Sequence, residues 1–237
     1  LKASDKEKSV EVTNTNGGAG TVVDKTVEKV WVNGPKPATT IELWRTNGKT
    51  GADKIDEKVG EFAVPANASG AQLKKSFTKL AKHDSKGNEY EYYAKEQNVP
   101  ENYKASYSAD KLTVTNTYTQ PSNGEVSVNK VWQDPQGKTL VKPEVNLTLY
   151  RKVAGGTEEQ VPASEAAVKV VDGTTTSAKW TGLKTTDIHG KAYSFIVKES
   201  FKNAGDVNNG NWTLAESSAV ENGKVTITNK AVTGDDN

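Results

Sequence analysis

The sequence predicts an all-β protein made of two tandem β-sandwiches, and three observations lead there. Val126 to Trp132, Val145 to Tyr150, Ala192 to Lys198 and Lys224 to Thr228 alternate apolar and polar residues, the period of a half-buried strand. Asn-Gly pairs begin at Asn33, Asn47, Asn123 and Asn222 and mark turns between such strands. Hydrophobic residues make up only 34% of the chain, while Thr, Val, Lys, Asn and Gly are plentiful, a mixture that favours strands and tight turns over helices. Ala71 to Leu80 is the one stretch read as a short turn of helix. Several short strands with turn signals within ~100 residues describe a sandwich.

The chain also repeats itself. Val27-Glu28-Lys29-Val30-Trp31 returns as Val128-Asn129-Lys130-Val131-Trp132. Lys36-Pro37 with Ile41, Leu43, Trp44 and Arg45 returns as Lys142-Pro143 with Leu147, Leu149, Tyr150 and Arg151, and Pro37 stands as far before Trp44 as Pro143 does before Tyr150. Phe77 to Leu80 matches Trp180 to Leu183, Ala94-Lys95-Glu96 matches Val197-Lys198-Glu199, and Val114 to Thr117 matches Ile227 to Lys230. A set of anchors in one order defines two homologous domains, 20–119 and 124–233. Val10 to Thr15 echoes Leu112 to Thr117, so residues 1–16 read as the last strand of a preceding repeat or as an N-terminal extension.

Composition narrows the function. Among 237 residues, 31 Lys and Arg face 30 Asp and Glu, for a net charge of +1, which gives no bulk electrostatic case for nucleic acid or an anionic membrane surface. With no Cys there is no disulfide, thiolate metal site or cysteine nucleophile. His83 and His189 lie in polar loops and are expected to be solvated, so neither a metal nor a cofactor is expected. No run approaches the ~18 apolar residues of a membrane span, and neither a signal peptide nor a sorting signal is read. No Ser–His–Asp set or catalytic carboxylate pair recurs, which argues against a turnover enzyme. Trp31, Trp44, Trp132 and Trp180 are expected to pack the core, with Trp212 left open.

Strand parity carries the functional signal, because alternate residues of a strand share a face. Lys29 falls with Val27 and Trp31, and Lys130 with Val126, Val128 and Trp132. Asn116 falls with Leu112 and Val114, and Asn229 with Val225 and Ile227. Glu96 falls with Tyr90, Tyr92 and Ala94, and Glu199 with Tyr193, Phe195 and Val197. Each domain therefore sends a Lys, a Glu and an Asn into its core, where one unpaired charge costs several kcal/mol.

Two readings follow from parity. One is a buried Lys–Glu ion pair that the Asn caps with hydrogen bonds. The other is covalent. Burial lowers a lysine pKa and raises a glutamate pKa, so the pair can sit as neutral amine and neutral acid. The amine can then attack the Asn amide carbon while the Glu passes the proton, giving a Lys–Asn isopeptide bond and free ammonia.

The ordered set K-V-W, then K-E, then T-N-T or T-N-K, present twice, resembles the B-type repeats of the Gram-positive collagen-adhesin family, the Cna B-type domains. The resemblance implies an immunoglobulin-like β-sandwich in each domain. It implies autocatalytic bonds from Lys29 to Asn116, promoted by Glu96, and from Lys130 to Asn229, promoted by Glu199. Asn14 matches the Asn position without a Lys or Glu of its own and is expected to be unlinked. The spacing from Glu199 to Asn229 exceeds that from Glu96 to Asn116, which places a longer final loop in the second domain.

The function expected is a structural stalk segment of a cell-wall-anchored adhesin or pilus-associated protein, extracellular on the bacterial surface and monomeric. Its partners would be neighbouring repeats of the same chain, with host extracellular matrix met through other domains. A matrix-binding module and a backbone pilin are the alternatives; no exposed aromatic cluster or basic stripe is read for the first, and no sortase-acceptor lysine motif for the second.

Overall fold

A computed structural model of the chain describes residues 20–232. The expectations for residues 1–16, including Asn14, lie outside them. The chain forms two compact units that divide between Asn116 and Thr117, with Asn33–Pro35 grouped with the second.

The first unit holds β1 (Val22–Val32), β2 (Thr39–Thr46), β3 (Asp56–Val64), β4 (Lys74–Ala81), β5 (Glu91–Glu96), β6 (Tyr103–Tyr107) and β7 (Thr113–Tyr118). They build one sheet in the order β4-β1-β7-β6 and a second in the order β3-β2-β5. The inward faces meet in a core to which β1 and β7 give Val27 and Val114, while β2, β3 and β5 give Ile41, Leu43, Phe62, Val64, Tyr92 and Ala94. Fully burying each of the larger aliphatic residues contributes ~1.5–3 kcal/mol.

The second unit repeats the plan with β8 (Gly124–Gln133), β9 (Val145–Val153), β10 (Glu159–Gln160), β11 (Lys169–Val171), β12 (Ser177–Leu183), β13 (Tyr193–Phe201), β14 (Trp212–Thr213), β15 (Ser217–Ala219) and β16 (Lys224–Ala231). One sheet runs β12-β8-β16-β14; the other runs β10-β9-β13-β15, with β11 also paired to β9. Val126, Val128, Trp180, Leu183 and Ile227 from the first pack on Val145, Leu147, Leu149, Val171 and Val197 from the second. In each unit the first and last strands lie side by side, β1 beside β7 and β8 beside β16.

The turn signals resolve into different devices. Asn33 and Gly34 both have positive φ, as do Asn222 and Gly223. The second pair closes a two-residue hairpin through reciprocal bonds between Glu221 and Lys224. Asn123-Gly124 leads straight into β8, where a Cβ on Gly124 would stand 2.8 Å from the Leu183 carbonyl oxygen. Asn47 is buried, and its amide donates to the Asp84 carboxylate at 2.9 Å.

Two expectations are corrected. Ala71 to Leu80 is no helix beyond a 3-10 turn at Gly70–Leu73; from Lys74 it is strand β4, paired antiparallel to β1. The Ser69/Gln72 capping box accounts for the turn, and backbone pairing with β1 overrides local helix propensity beyond it. The indoles also sort differently. Trp180 and Trp212 are buried, whereas Trp44 is only partly covered. Trp44 alternates with the inward Leu43, so it lies on the outer face of β2, stacked on Tyr93 with its Nε1–H donated to Glu42 at 2.7 Å.

Candidate functional site

Parity places all six expected residues as read. Lys29 and Lys130 are 1% and 3% exposed, Glu96 and Glu199 6% and 7%, and Asn116 and Asn229 0%. The lysine and asparagine of each unit lie on neighbouring strands of one sheet, and the glutamate lies on the facing sheet.

The parallel register of β8 and β16 sets Lys130 opposite Ile227 and Trp132 opposite Asn229. Lys130 and Asn229 are thus diagonal neighbours on one face, a relation typically ~7–8 Å between backbones that a long side chain spans. Glu199 enters from β13, where it pairs with Leu147. Its Oε1 stands 3.5 Å from the Lys130 ammonium nitrogen, and both side chains are fully shielded from solvent. Its Oε2 accepts the Ala215 N–H at 3.0 Å. Burial pushes the Glu199 carboxyl upward against the opposing pull of Lys130, the Ala215 N–H and Asn229. Burial also lowers the Lys130 amine to about 8, against the attraction of Glu199.

In the first unit Lys29 is likewise lowered to about 8 by burial, against the attraction of Glu96. Glu96 Oε1 accepts from Asn116 Nδ2 at 2.9 Å and from the Thr39 hydroxyl at 2.7 Å. The Asn116 amide therefore presents its nitrogen to the carboxylate, where the chemistry read from the sequence needs its carbonyl oxygen. A half-turn of that amide exchanges the two atoms.

Both amines meet the same surroundings. Lys29 Nζ donates to the Val30 carbonyl at 3.1 Å, and Lys130 Nζ to the Val131 carbonyl at 3.2 Å. Each lies over an indole, 4.0 Å from the Trp31 ring centre and 3.9 Å from that of Trp132. Trp31 is met edge-on by Tyr103 at 5.1 Å, and Trp132 by Trp212 at 4.8 Å.

What the buried groups lack is as informative. Glu96 Oε2, Asn116 Oδ1, Glu199 Oε1 and both amide atoms of Asn229 have no hydrogen-bond partner. The Lys130 contact with Glu199 Oε1 is an ion pair that falls short of hydrogen-bond geometry, and the hydrogen-bonding pull of Asn229 that lowers the Glu199 pKa is likewise looser than a fully formed bond. Each orphaned buried group costs roughly 1–3 kcal/mol. The ion pair of the first reading is present in the second unit as Lys130–Glu199 and its Asn cap in the first unit as Asn116–Glu96, while other polar atoms of both clusters stay unpaired.

Sequence reasoning missed three contributors: the Thr39 hydroxyl, the Ala215 backbone N–H, and the placement of Trp31 and Trp132 over the amines. The signal for Thr39 was available, since it shares the inward parity of Ile41 and Leu43. Ala215 gave none, because a backbone donor leaves no mark in the side-chain pattern. His189 is exposed and His83 partly covered. Among the described residues no group of His, Asp and Glu is arranged to hold a metal ion, and no helix is long and apolar enough to cross a membrane.

Comparison with known proteins finds the model of the Cna protein B-type domain twice, over residues 25–117 and 126–230. The collagen adhesin of Staphylococcus aureus is 29% identical over 120 residues, which is 51% of this chain and 9% of that protein. Among solved structures, a single B repeat unit of the S. aureus collagen-binding surface protein aligns with 90% of this chain and 100% of its own, at 22% identity and a TM-score of 0.32. The minor pilin GBS52 of Streptococcus agalactiae aligns with 88% of this chain and 97% of its own, at 14% identity and a TM-score of 0.31.

Proposed function

The chain belongs to the Cna protein B-type domain family, and from that premise we propose that it is a load-bearing stalk segment whose two domains each seal themselves with a Lys–Asn isopeptide bond. The observation that carries this is the pair of dry Lys–Glu–Asn clusters with polar atoms left unpaired in the same place twice.

The chemistry needs only these residues. With its pKa held near 8, each lysine reaches the neutral form more readily than a solvated one. The amine attacks Cγ of Asn116 or Asn229, the glutamate carries the proton to the departing nitrogen, and ammonia leaves. Folding holds amine and amide together at an effective molarity of ~10⁵–10⁸ M, so no cofactor is required. The product removes the lysine charge and the Asn Nδ2, while the Asn carbonyl oxygen remains in the new amide.

Each bridge joins the first strand of its domain to the last. On the chain-entropy account a closed loop of ~90–100 residues stabilises by ~4–5 kcal/mol. The mechanical effect is larger. Tension entering along β8 crosses from Lys130 to Asn229 and leaves along β16, bypassing the strands between. Such a segment suits an extracellular, Gram-positive surface protein of the adhesin or pilin kind, with contact to host matrix made elsewhere in the parent.

Stretching single molecules held by their ends tests this. Neither domain lengthens under loads that open ordinary sandwiches. The Lys130→Ala chain gains one step of roughly 300 Å, the reach of ~100 released residues. Two such steps in the unaltered chain contradict the proposal.

A further inference from the structure

The two glutamates occupy equivalent positions but are held by different donors. Equivalence follows from register: Glu96 pairs with Ile41 of β2, and Glu199 pairs with Leu147 of β9. Two residues earlier on the same inward face stand Thr39 and Val145, the first residues of their strands. Thr39 donates its hydroxyl to Glu96 Oε1 at 2.7 Å. Val145 is fully buried and has no hydroxyl to give; the Ala215 N–H, from the segment between β14 and β15, binds Glu199 instead.

The consequence is a different aim for each carboxyl. Glu199 turns one oxygen to Lys130 at 3.5 Å. Glu96 turns Oε1 to Asn116 and Thr39, and Lys29 makes its hydrogen bond to the Val30 carbonyl. With two donors on Oε1, Oε2 is left buried and without a partner, the oxygen free to carry an acid proton. A carboxylate released from Thr39 can swing to Lys29 and hold it as an ammonium ion, which has no lone pair for attack.

We propose that Thr39 is a positioning residue for bond formation in the first domain: its hydroxyl keeps the Glu96 carboxyl on Asn116 and off the attacking amine. This rests on the crosslinking reading above. No atom of Thr39 enters the reaction; the bond formed is Lys29 Nζ to Asn116 Cγ, the bond broken is Asn116 Cγ–Nδ2, and ammonia carries away the proton that Glu96 transfers. The second domain holds its glutamate through a backbone donor, with one oxygen on Lys130 and without a hydroxyl at the Val145 position, so the two bonds respond differently to one substitution.

The test uses the whole chain made by cell-free translation. Samples are quenched in denaturant at intervals and digested, and the crosslinked peptides Lys29–Asn116 and Lys130–Asn229 are quantified separately by mass. Thr39→Val, the residue the second domain carries at this position, slows the first crosslink ~10-fold or more, a part of the 10²–10⁴ that a positioned acid-base group supplies. The second crosslink keeps its rate and reports that synthesis and folding of the second unit are unchanged, while a native-like circular dichroism spectrum of the purified Thr39→Val chain reports that the first unit folds. Thr39→Ser, which restores the hydroxyl and lacks the methyl, returns the first rate to within about threefold of the original, as expected if the hydrogen bond is what matters. A Thr39→Val chain that crosslinks at the original rate overturns the proposal, and so does a Thr39→Ser chain as slow as Thr39→Val. If neither peptide forms in the unaltered chain, the crosslinking reading itself fails and takes this inference with it.

Discussion

The two domains solve one problem with unequal means. Both bury a Lys, a Glu and an Asn and both lay an indole under the amine. Around that shared centre the supports differ. Glu96 is held by a side-chain hydroxyl and Glu199 by a backbone N–H. The outer edge of the glutamate-bearing strand differs too. In the second domain β15 pairs with β13 at Ile196 to Lys198. In the first, β5 ends its sheet, and its N–H groups at Ala94 and Glu96 donate to the Lys111 carbonyl and the Tyr107 hydroxyl. The longer final loop of the second domain supplies both β15 and Ala215, so one insertion accounts for both substitutions. What is kept across the two copies is the buried Lys, Glu and Asn; what holds them in place is interchangeable.

The sharpest way to break the comparison is to delete one amine at a time. Lys29→Ala removes only the first bridge and Lys130→Ala only the second. Each lowers the stability of its own domain by ~4–5 kcal/mol from the lost loop constraint, read as two separated unfolding transitions where the unaltered chain shows none so early. Equal effects on both domains from one substitution would show that the bridges are not local.

The pH dependence sharpens it next. The reactive state, neutral amine with neutral acid, binds the same single proton as the ion pair, so the rate follows the singly protonated pair. Above about 8 that proton is lost, and crosslinking slows ~10-fold per pH unit in both domains. On the acid side the pair gains a second proton. Burial raises Glu199, so the second domain slows at a pH above the ordinary glutamate value of 4.5. Rates from the separate crosslinked peptides check both limbs.

A smaller effect separates the aromatic supports. Trp212 is 4% exposed and packs edge-on against Trp132, so Trp212→Ala costs the second domain ~3–5 kcal/mol. Tyr103, half-buried against Trp31, costs the first domain less when cut to Ala. Denaturant midpoints of the single variants give the order. Smallest is Tyr107→Phe. Tyr107 is 44% exposed, so water replaces the lost acceptor for the Glu96 N–H and the change is ~0.5–1 kcal/mol.

Much of this was legible in the sequence because the period of a strand is short and the repeat supplies a control. Lys29, Lys130, Asn116, Asn229, Glu96 and Glu199 could each be assigned a face by counting in twos. The strand core residues Val126, Val128, Leu147 and Leu149 came with them. The failures share a physical cause, contacts between segments distant in sequence. Pairing with β1 made Lys74–Ala81 a strand, although its own residues tolerate a helix. Trp44 was set outward by the parity of its neighbours, against the expectation that a large indole is buried. Trp212, in the two-residue strand β14, and Ala215, just beyond it, lie in a stretch without periodicity, and the closed sandwich shows that they reach Trp132 and Glu199.

The central claim is chemical, and the intact mass of the denatured chain tests it most directly. Two self-made bonds predict a mass about 34 Da below that of the sequence, one ammonia of about 17 Da for each covalent change. Glu96→Ala or Glu199→Ala then restores about 17 Da beyond the substitution itself. A mass equal to that of the sequence would contradict the account, leaving the Lys, Glu and Asn of each core as an unreacted polar cluster with no covalent path for tension.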